Sequence, residues 1–491
     1  MSPESEVLVK CGTGRFSALE GGIVIITFGT DGWRGIISED YTFHNLRLVA
    51  QAIAEYITER QEAEKGIVIG YDARFLSRQY AEDCAAVIAH KGVKVWLTDK
   101  MLPTPALTWQ VKDRQAAGGI MITASHNPPE YNGLKFKASY GGSASPEIVA
   151  DIEKYVRRLE AGGGEFAKVP LTDRVELVPP QDVYLGHVQQ ILDPKMLQRF
   201  KGKIVFDVMH GSASGYAASL GALNGLDLIE IRSDYNPSFG GVNPEPIEKN
   251  LAALRQAVSE HKAVIALATD GDGDRIGAMD ADGRFINAHQ IIALLTKYLV
   301  EKRGWTGGVA QTLTASELVK RVAAKYGRRL YETPVGFKYI ANLMLEEDIL
   351  IGGEEAGGIG VKNYIPERDG IMLGFLLIET AAAYGRTLGA LLDEMMDELG
   401  HFYYGREDLH LEETRKARLM AKLADAPPKE LAGLKVSSAK CTDGCKLNLD
   451  DGWVMFRASG TEPIARVYAE ARSQKLLAEI LEKAVNYANQ A

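Results

Sequence analysis

The sequence predicts an α/β fold that ends in a smaller α+β unit, and three observations carry that prediction. Short apolar runs recur along the chain, each leading into a turn rich in Gly or Asp, with helix-period stretches between many of them. Breaks in composition divide the chain into segments of domain size. The stretch after Gly400–Gly405 is too short for a fully wound α/β layer and reads as helix, strands, Gly-rich loop, strand and helix.

The runs Ile23–Ile26, Ile67–Ile69, Val93–Leu97, Ile120–Ile122, Ile204–Phe206, Val264–Leu267 and Ile349–Ile351 are short, apolar and bounded by turn residues, so they read as buried strands. Leu46–Arg60, Arg78–His90, Ile247–Glu260 and Ile291–Lys302 carry helical periodicity. The starts Ile67–Asp72, Ile204–Asp207 and Val264–Asp270 share a strand-then-Asp pattern that hints at a threefold repeat. Joints fall at Ala161-Gly-Gly-Gly-Glu165 followed by Pro179-Pro180, near Ala281-Asp-Gly-Arg284, and at Gly400–Gly405. The expected division is therefore a disordered segment over 1–22, α/β domains over 23–170, 171–284 and 285–400, and an α+β domain over 401–491.

Composition excludes several classes of partner. The chain has 491 residues, 46% hydrophobic and 25% charged, ordinary for a globular protein. A net charge of −9 argues against nucleic acid or an anionic membrane surface, so any site for phosphates must gather its basic groups locally. The first 22 residues hold Glu4, Glu6 and Lys10 and no sustained apolar core, unlike a signal peptide. No run approaches the ~20 apolar residues of a membrane span. These features point to a cytoplasmic, reducing setting. Four cysteines are too few for a disulfide framework, and Cys441-x-x-x-Cys445 lacks the second pair that a metal site requires.

Four loop segments carry chemistry. Thr123-Ala-Ser125-His-Asn-Pro-Pro129 follows a buried strand and is stiffened by its two prolines. A hydroxyl held there can accept and donate a phosphoryl group; the alternative is a turn-capping serine. His126 raises a Ser/His hydrolase reading, but no Gly-x-Ser-x-Gly elbow is present. Asp270-Gly-Asp272-Gly-Asp274-Arg275 turns three carboxylates on a Gly-relaxed loop toward one hard cation such as Mg²⁺. A calcium loop of the EF-hand type needs Gly at its sixth position and Glu at its twelfth, held here by Arg275 and Ala281. Glu354, in Gly352-Gly-Glu-Glu-Ala356-Gly-Gly358, can accept hydrogen bonds from two vicinal sugar hydroxyls on a loop whose backbone approaches closely. Arg457-Ala-Ser459-Gly460-Thr461-Glu-Pro463 joins a guanidinium, two hydroxyls and a run of backbone N–H groups, a nest suited to phosphate.

Together with Phe28-Gly-Thr-Asp-Gly-Trp-Arg34-Gly35 near the N-terminus, these segments resemble, in order, the motifs of the α-D-phosphohexomutase family. The resemblance covers residues ~28 to ~470 and implies three α/β domains of one topology with mixed sheets, plus a smaller α+β domain, around a central cleft. It implies that Ser125 is a catalytic phosphoserine and that Asp270, Asp272 and Asp274 hold one Mg²⁺ with a Ser125 phosphate oxygen. Arg34 and Lys135, with His126 beside the serine, become candidates for proton transfer. Arg275, Gly336, Lys338, Glu354, Ala356, Arg457, Ser459, Gly460 and Thr461 become the substrate-binding set. The implied reaction interconverts hexose 1-phosphate and hexose 6-phosphate through a hexose 1,6-bisphosphate, which also serves as activator. Glucose is the first sugar and mannose the second, on a monomer or homodimer. Two departures stand out: Ala356 replaces the usual serine of the sugar loop, and Gly460 replaces the usual asparagine of the phosphate loop. Two other readings stay open, an enzyme that releases the bisphosphate as product and a non-catalytic sugar-phosphate sensor.

Overall fold

The computed structural model describes residues 26–29, 31–163, 166–458 and 464–490. The segment 1–22 expected to be disordered, and the loop residues Ser459, Gly460 and Thr461, lie outside them.

Each of the first three domains is a mixed sheet with one reversal. In the first, Gly118–Ile122, Ile67–Tyr71, Val95–Thr98 and Val175–Val178 run parallel, and Tyr131–Ala138 lies antiparallel beside Gly118–Ile122. In the second, Ala263–Thr269, Lys203–Asp207 and Leu228–Ile231 are parallel, with Ile276–Asp280 reversed. In the third, Ile349–Gly353, Gly308–Thr312 and Leu330–Thr333 are parallel, with Ile359–Val361 reversed. The reversal has a direct cause. A parallel pair needs a crossover of about a dozen residues or more, and the loops leaving Ile122, Thr269 and Gly353 are too short for one. The chain must turn straight back. Those three turns carry Ser125, the three aspartates and Glu354.

The repeat expected at Val264–Asp270 is therefore shifted. Ile67–Tyr71, Lys203–Asp207 and Gly308–Thr312 are the equivalent strands, whereas Ala263–Thr269 corresponds to Gly118–Ile122 and Ile349–Gly353. The boundary placed at residue 170 is also early. Val175–Val178 extends the first sheet, and its exposure, with Leu177 64% accessible, hid it from a search for buried runs.

The fourth domain is an all-antiparallel sheet in the order Tyr403–His410, Ile464–Ala471, Gly452–Ala458, Cys445–Leu449, Leu434–Lys440, Glu430–Leu431. Helices Glu413–Asp425 and Gln474–Asn489 pack on it. It opens with a strand rather than the expected helix. Cys441 and Cys445 form a disulfide that closes a turn, so the pair is neither a metal half-site nor two free thiols, and Cys84 is buried and free.

The second and third domains share one core. Helix Gly370–Tyr384 is mostly apolar and buried from Gly370 to Ala381, with its one carboxylate, Glu379, accepting from Tyr298 and Arg303. It packs on Ala263–Thr269 and Ile276–Asp280 of the second sheet and on helix Ala288–Glu301 of the third domain. No single helix among the described residues is long and apolar enough to cross a membrane. This helix approaches the second sheet closely at Gly374, where an added Cβ would stand 2.9 Å from Phe206 Cε2 and 3.2 Å from Leu267 Cδ1. Gly374→Val should therefore overpack the seam and cost ~1–3 kcal/mol, read as a lower urea midpoint with an unchanged slope. A midpoint equal to wild type would mean that the two domains do not depend on this contact.

Candidate active site

Ser125 sits in the left-handed region, with φ +53°, a conformation that a residue with a side chain holds only when its surroundings impose it. Arg74 imposes it. Its Nη2 donates to the carbonyls of Ser125 (2.7 Å) and Asn127 (2.6 Å), and its Nη1 to those of Pro128 (2.7 Å) and Tyr131 (2.9 Å). Asp72 lies 3.3 Å from Arg74 Nε and accepts the Thr123 hydroxyl at 2.6 Å, while Thr123 Oγ1 accepts from Ser125 N at 2.8 Å. Both Asp72 and Arg74 are buried, so the loop is held from inside the protein. Sequence reading missed Arg74. Its signal was Asp72-Ala-Arg74 at the end of the parallel strand Ile67–Tyr71.

Held this way, Ser125 Oγ donates to Asp270 Oδ2 at 2.9 Å across the seam between the first two domains. Asp270, Asp272 and Asp274 are wholly buried, with one ligand oxygen from each lying within 4.8 Å of the others. Their remaining oxygens are already anchored. Asp272 Oδ2 accepts from Thr104 Oγ1 (2.5 Å) and Lys135 Nζ (2.8 Å), Asp274 Oδ2 from Lys135 Nζ (3.0 Å), and Asp270 Oδ1 from the amides of Asp274 and Arg275. Asp272 Oδ1 and Asp274 Oδ1 are buried without a hydrogen-bond partner among the described residues. Orphan carboxylate oxygens beside Asp270 Oδ2 and Ser125 Oγ are a hard-oxygen donor set, which fits Mg²⁺.

The electrostatics follow from burial and pairing. Burial would discharge Lys135, but Asp272, Asp274 and Asp31 hold it firmly protonated. In this arrangement its ammonium is the counterion of three carboxylates. Burial would likewise raise Asp272, yet Lys135 keeps its carboxyl well below the usual range. Asp270, farther from that cation, is pushed up by burial and by Asp272 and Asp274. His126 is driven well below its ordinary value by burial and by the cations Arg275 and Arg34. It is therefore a neutral imidazole whose Nδ1 has no partner among the described residues. Arg34 Nη1 donates to Asn127 Oδ1 at 2.5 Å.

The loop of the three aspartates and the Glu354 loop are zipped together. Arg275 bridges to Gly358, and Ile276 N donates to Gly357 O at 3.0 Å. The Arg275 side chain reaches Glu245 at 3.3 Å. Burial pushes the Glu354 carboxyl up to about 7, with Arg368 opposing the shift. Arg457 Nε donates to Asp443 Oδ1 at 3.0 Å, and Asp443 Oδ2 accepts from Val335 N at 2.8 Å, tying the phosphate loop's arginine to the segment holding Gly336 and Lys338.

A cleft of about 390 Å³ gathers Arg34, His126, Arg275, Gly336, Lys338, Glu354, Ala356 and Arg457. Ser125, Lys135 and the aspartates lie buried beneath its floor. Sequence reading did not single out Arg368, Arg406 or Arg466, which line the same cleft. With them the wall carries seven basic side chains, the local concentration that an acidic chain needs to hold phosphates.

Family models for phosphoglucomutase/phosphomannomutase match along the whole arrangement: alpha/beta/alpha domain I over 26–162, domain II over 182–283, domain III over 287–399, and the C-terminal domain over 412–486. A phosphoglucomutase/phosphomannomutase of Thermococcus kodakarensis is 30% identical over 464 residues, covering 94% of this chain and 98% of the relative. A phosphoglucosamine mutase of Thermobifida fusca is 33% identical, covering 91% and 94%. The crystal structure of a protein from Thermus thermophilus, provisionally named a phosphomannomutase, is 34% identical and superposes with a TM-score of 0.84, covering 94% of this chain and 99% of that one.

The donor set makes a prediction independent of turnover. Asp272→Asn removes one charge from the cage and should weaken Mg²⁺ at least ~10-fold in a calorimetric titration, since carboxylate charge sets affinity for hard cations. An unchanged dissociation constant would place the cation elsewhere.

Proposed function

We propose that this chain, which belongs to the phosphoglucomutase/phosphomannomutase family, interconverts hexose 1-phosphate and hexose 6-phosphate through phospho-Ser125, with glucose as the preferred sugar. The observation that carries this reading is Ser125 Oγ at 2.9 Å from Asp270, beneath a cation-lined cleft that also presents Glu354.

Bound at the aspartates, Mg²⁺ supplies charge neutralisation for the transferring phosphoryl group. The chain's own residues do the rest. The bond between Ser125 Oγ and phosphorus breaks as a sugar hydroxyl oxygen bonds to phosphorus; the attacking hydroxyl gives up one proton and the leaving Oγ takes one up, so the serine returns as a hydroxyl. Phosphoryl transfer passes through a loose transition state, which demands little deprotonation beforehand. Positive groups therefore matter more than a strong base. Lys135, held protonated against Asp272 and Asp274, and Arg34, held by Asn127, fit that need. Glu354 grips the sugar hydroxyls, and Arg457 with Ser459, Gly460 and Thr461 takes the phosphate that does not react. The resulting hexose 1,6-bisphosphate turns around in the cleft and returns its other phosphoryl group to Ser125.

One observation favours a second reading, in which part of the bisphosphate escapes as product. Ala356 puts a methyl on the cleft wall where the family usually has a hydroxyl. One neutral hydrogen bond is worth ~0.5–1.5 kcal/mol, a two- to tenfold change in residence. A purely binding role needs neither Ser125 nor a buried acidic triad.

Coupled assays with glucose, mannose and glucosamine 1-phosphates, with and without added bisphosphate, test the reading and rank the sugars. Turnover should be highest with glucose 1-phosphate, and mass spectrometry should find a phosphate on the peptide containing Ser125. Ser125→Ala should lose at least ~1,000-fold in kcat; near wild-type turnover would sink the mechanism.

A pH dependence follows from Glu354, whose carboxyl is raised to about 7 by burial, with Arg368, Glu355, Arg275 and Asp274 facing it. A raised carboxyl is protonated below that pH and ionised above it, and only the ionised form accepts from two hydroxyls. KM for glucose 1-phosphate should fall several-fold between pH 6 and 8, and Glu354→Gln should flatten that component. The substrate phosphate titrates identically with both proteins, so parallel profiles would dismiss Glu354 as the titrating group.

A further inference from the structure

Arg368 has no counterpart in the set of residues legible in the motifs, yet it is the side chain that joins three domains at the floor of the cleft. It lies just before helix Gly370–Tyr384 and is 5% exposed. Its Nη2 lies 2.6 Å from Asp31 Oδ2 of the first domain and 2.6 Å from Asp274 Oδ2 of the second. Its Nη1 lies 3.5 Å from Glu354 Oε2 on the sugar loop. The Phe337 ring, 5.4 Å from its carbon Cζ, backs the guanidinium. The seat is tight: a Cβ at Gly358 would stand 2.4 Å from Arg368 Cδ.

The two ends of this guanidinium face different tasks. Asp274 Oδ2 is occupied by Arg368 and Lys135, while Oδ1 of the same carboxylate is one of the orphan oxygens turned to the cation site. A fixed positive charge on that carboxylate draws density from the orphan oxygen and repels a divalent cation a few ångströms away, with little water between to screen it. At the other end, Nη1 fixes the carboxylate that grips the sugar, and a planar fork does this in a way that a flexible ammonium cannot.

Resting on the mutase reading above, we infer that Arg368 is a positioning residue that couples the two halves of the site. It orients Glu354 for the hexose hydroxyls and tempers the affinity of the aspartate cage for its cation. Without the guanidinium, among the described residues, Asp31 keeps two cations, Lys135 and Lys137 at 3.0 and 3.4 Å, whereas Asp274 keeps Lys135 alone at 3.0 Å and Glu354 loses its 3.5 Å ion pair. The substitution therefore bears more on Asp274 and Glu354 than on Asp31.

The two tasks predict shifts of opposite sign, which simple loosening of the fold would not produce. In Arg368→Gln, Mg²⁺ should bind several-fold more tightly in a calorimetric titration of the purified enzyme. KM for glucose 1-phosphate should rise about tenfold, with a smaller change in kcat. Arg368→Lys keeps the charge and loses the fork, so Mg²⁺ affinity should stay within about twofold of wild type while KM still rises. Melting temperatures of all three proteins, with and without Mg²⁺, check folding, and the Lys variant stands alone should the Gln variant fail to fold. Weaker or unchanged Mg²⁺ binding in a folded Gln variant, or a Lys variant that binds Mg²⁺ as weakly as a cage mutant, overturns the coupling. So does an unchanged KM in either variant. Should the wild type turn over none of the hexose phosphates, the function is misread, and the Mg²⁺ titrations with calorimetric binding of glucose 1-phosphate still decide the role of Arg368.

Discussion

Compensation of charge in a buried cluster is the constraint on which the arrangement of this protein depends. Asp270, Asp272 and Asp274, all buried, and the partly buried Asp31 lie against Lys135 and Arg368. Taking such charges out of water costs several kcal/mol per ion unless opposite charges and hydrogen bonds compensate. The three aspartates of the second domain draw their closest cations from outside it: the first domain contributes Lys135, beside its own Asp31, and the third contributes Arg368. The domains therefore assemble around the site, and the site exists only in the assembly.

The backbone brings those charges together by repeating one device. In each α/β domain the chain leaves a parallel strand, lacks the length for a crossover and turns straight back. The turn projects beyond the end of the sheet, where α/β proteins collect their ligands. Three such turns meet, one with a hydroxyl, one with carboxylates and one with the buried Glu354. Ser125 adds a positive φ, which Arg74 maintains by filling four carbonyl oxygens with one guanidinium. The helix Gly370–Tyr384 plays the matching role in the interior, since a helix apolar on most sides must be enclosed by more than one domain.

Electrostatic environment sorts residues that look alike in the sequence. Lys135 and Lys338 are both lysines close to loop turns, yet Lys135 is locked among three carboxylates and Lys338 lines the open cleft. Glu354 and Glu355 are adjacent, the first buried and the second partly buried, and their carboxyls shift in opposite directions. Glu354 rises to about 7, whereas Glu355, despite its partial burial, is held below its usual value by the Thr314 hydroxyl, which donates to it at 2.6 Å, and by Arg406. One is tuned near neutral pH and the other stays a fixed negative charge.

The sequence by itself determined what depends on neighbours along the chain. The short apolar runs, the helix periods and the Gly- and Asp-rich turns follow from local sterics and patterning, and they were enough to name the loops that hold Ser125, Asp270, Asp272, Asp274 and Glu354. Local signals also failed in a consistent way. Val175–Val178 joins the first sheet through pairing with Val95–Thr98, not through its own hydrophobicity. The apolar helix Gly370–Tyr384 has no amphipathic face to mark its partner. Only the tertiary structure decided that Arg74 holds the serine loop, that Arg368 spans three domains and that Lys135 serves as a counterion. An arginine in a sequence is by default a solvated surface group, and its worth comes from burial and from the carboxylates and carbonyls that distant segments place around it. Those quantities belong to the packed chain.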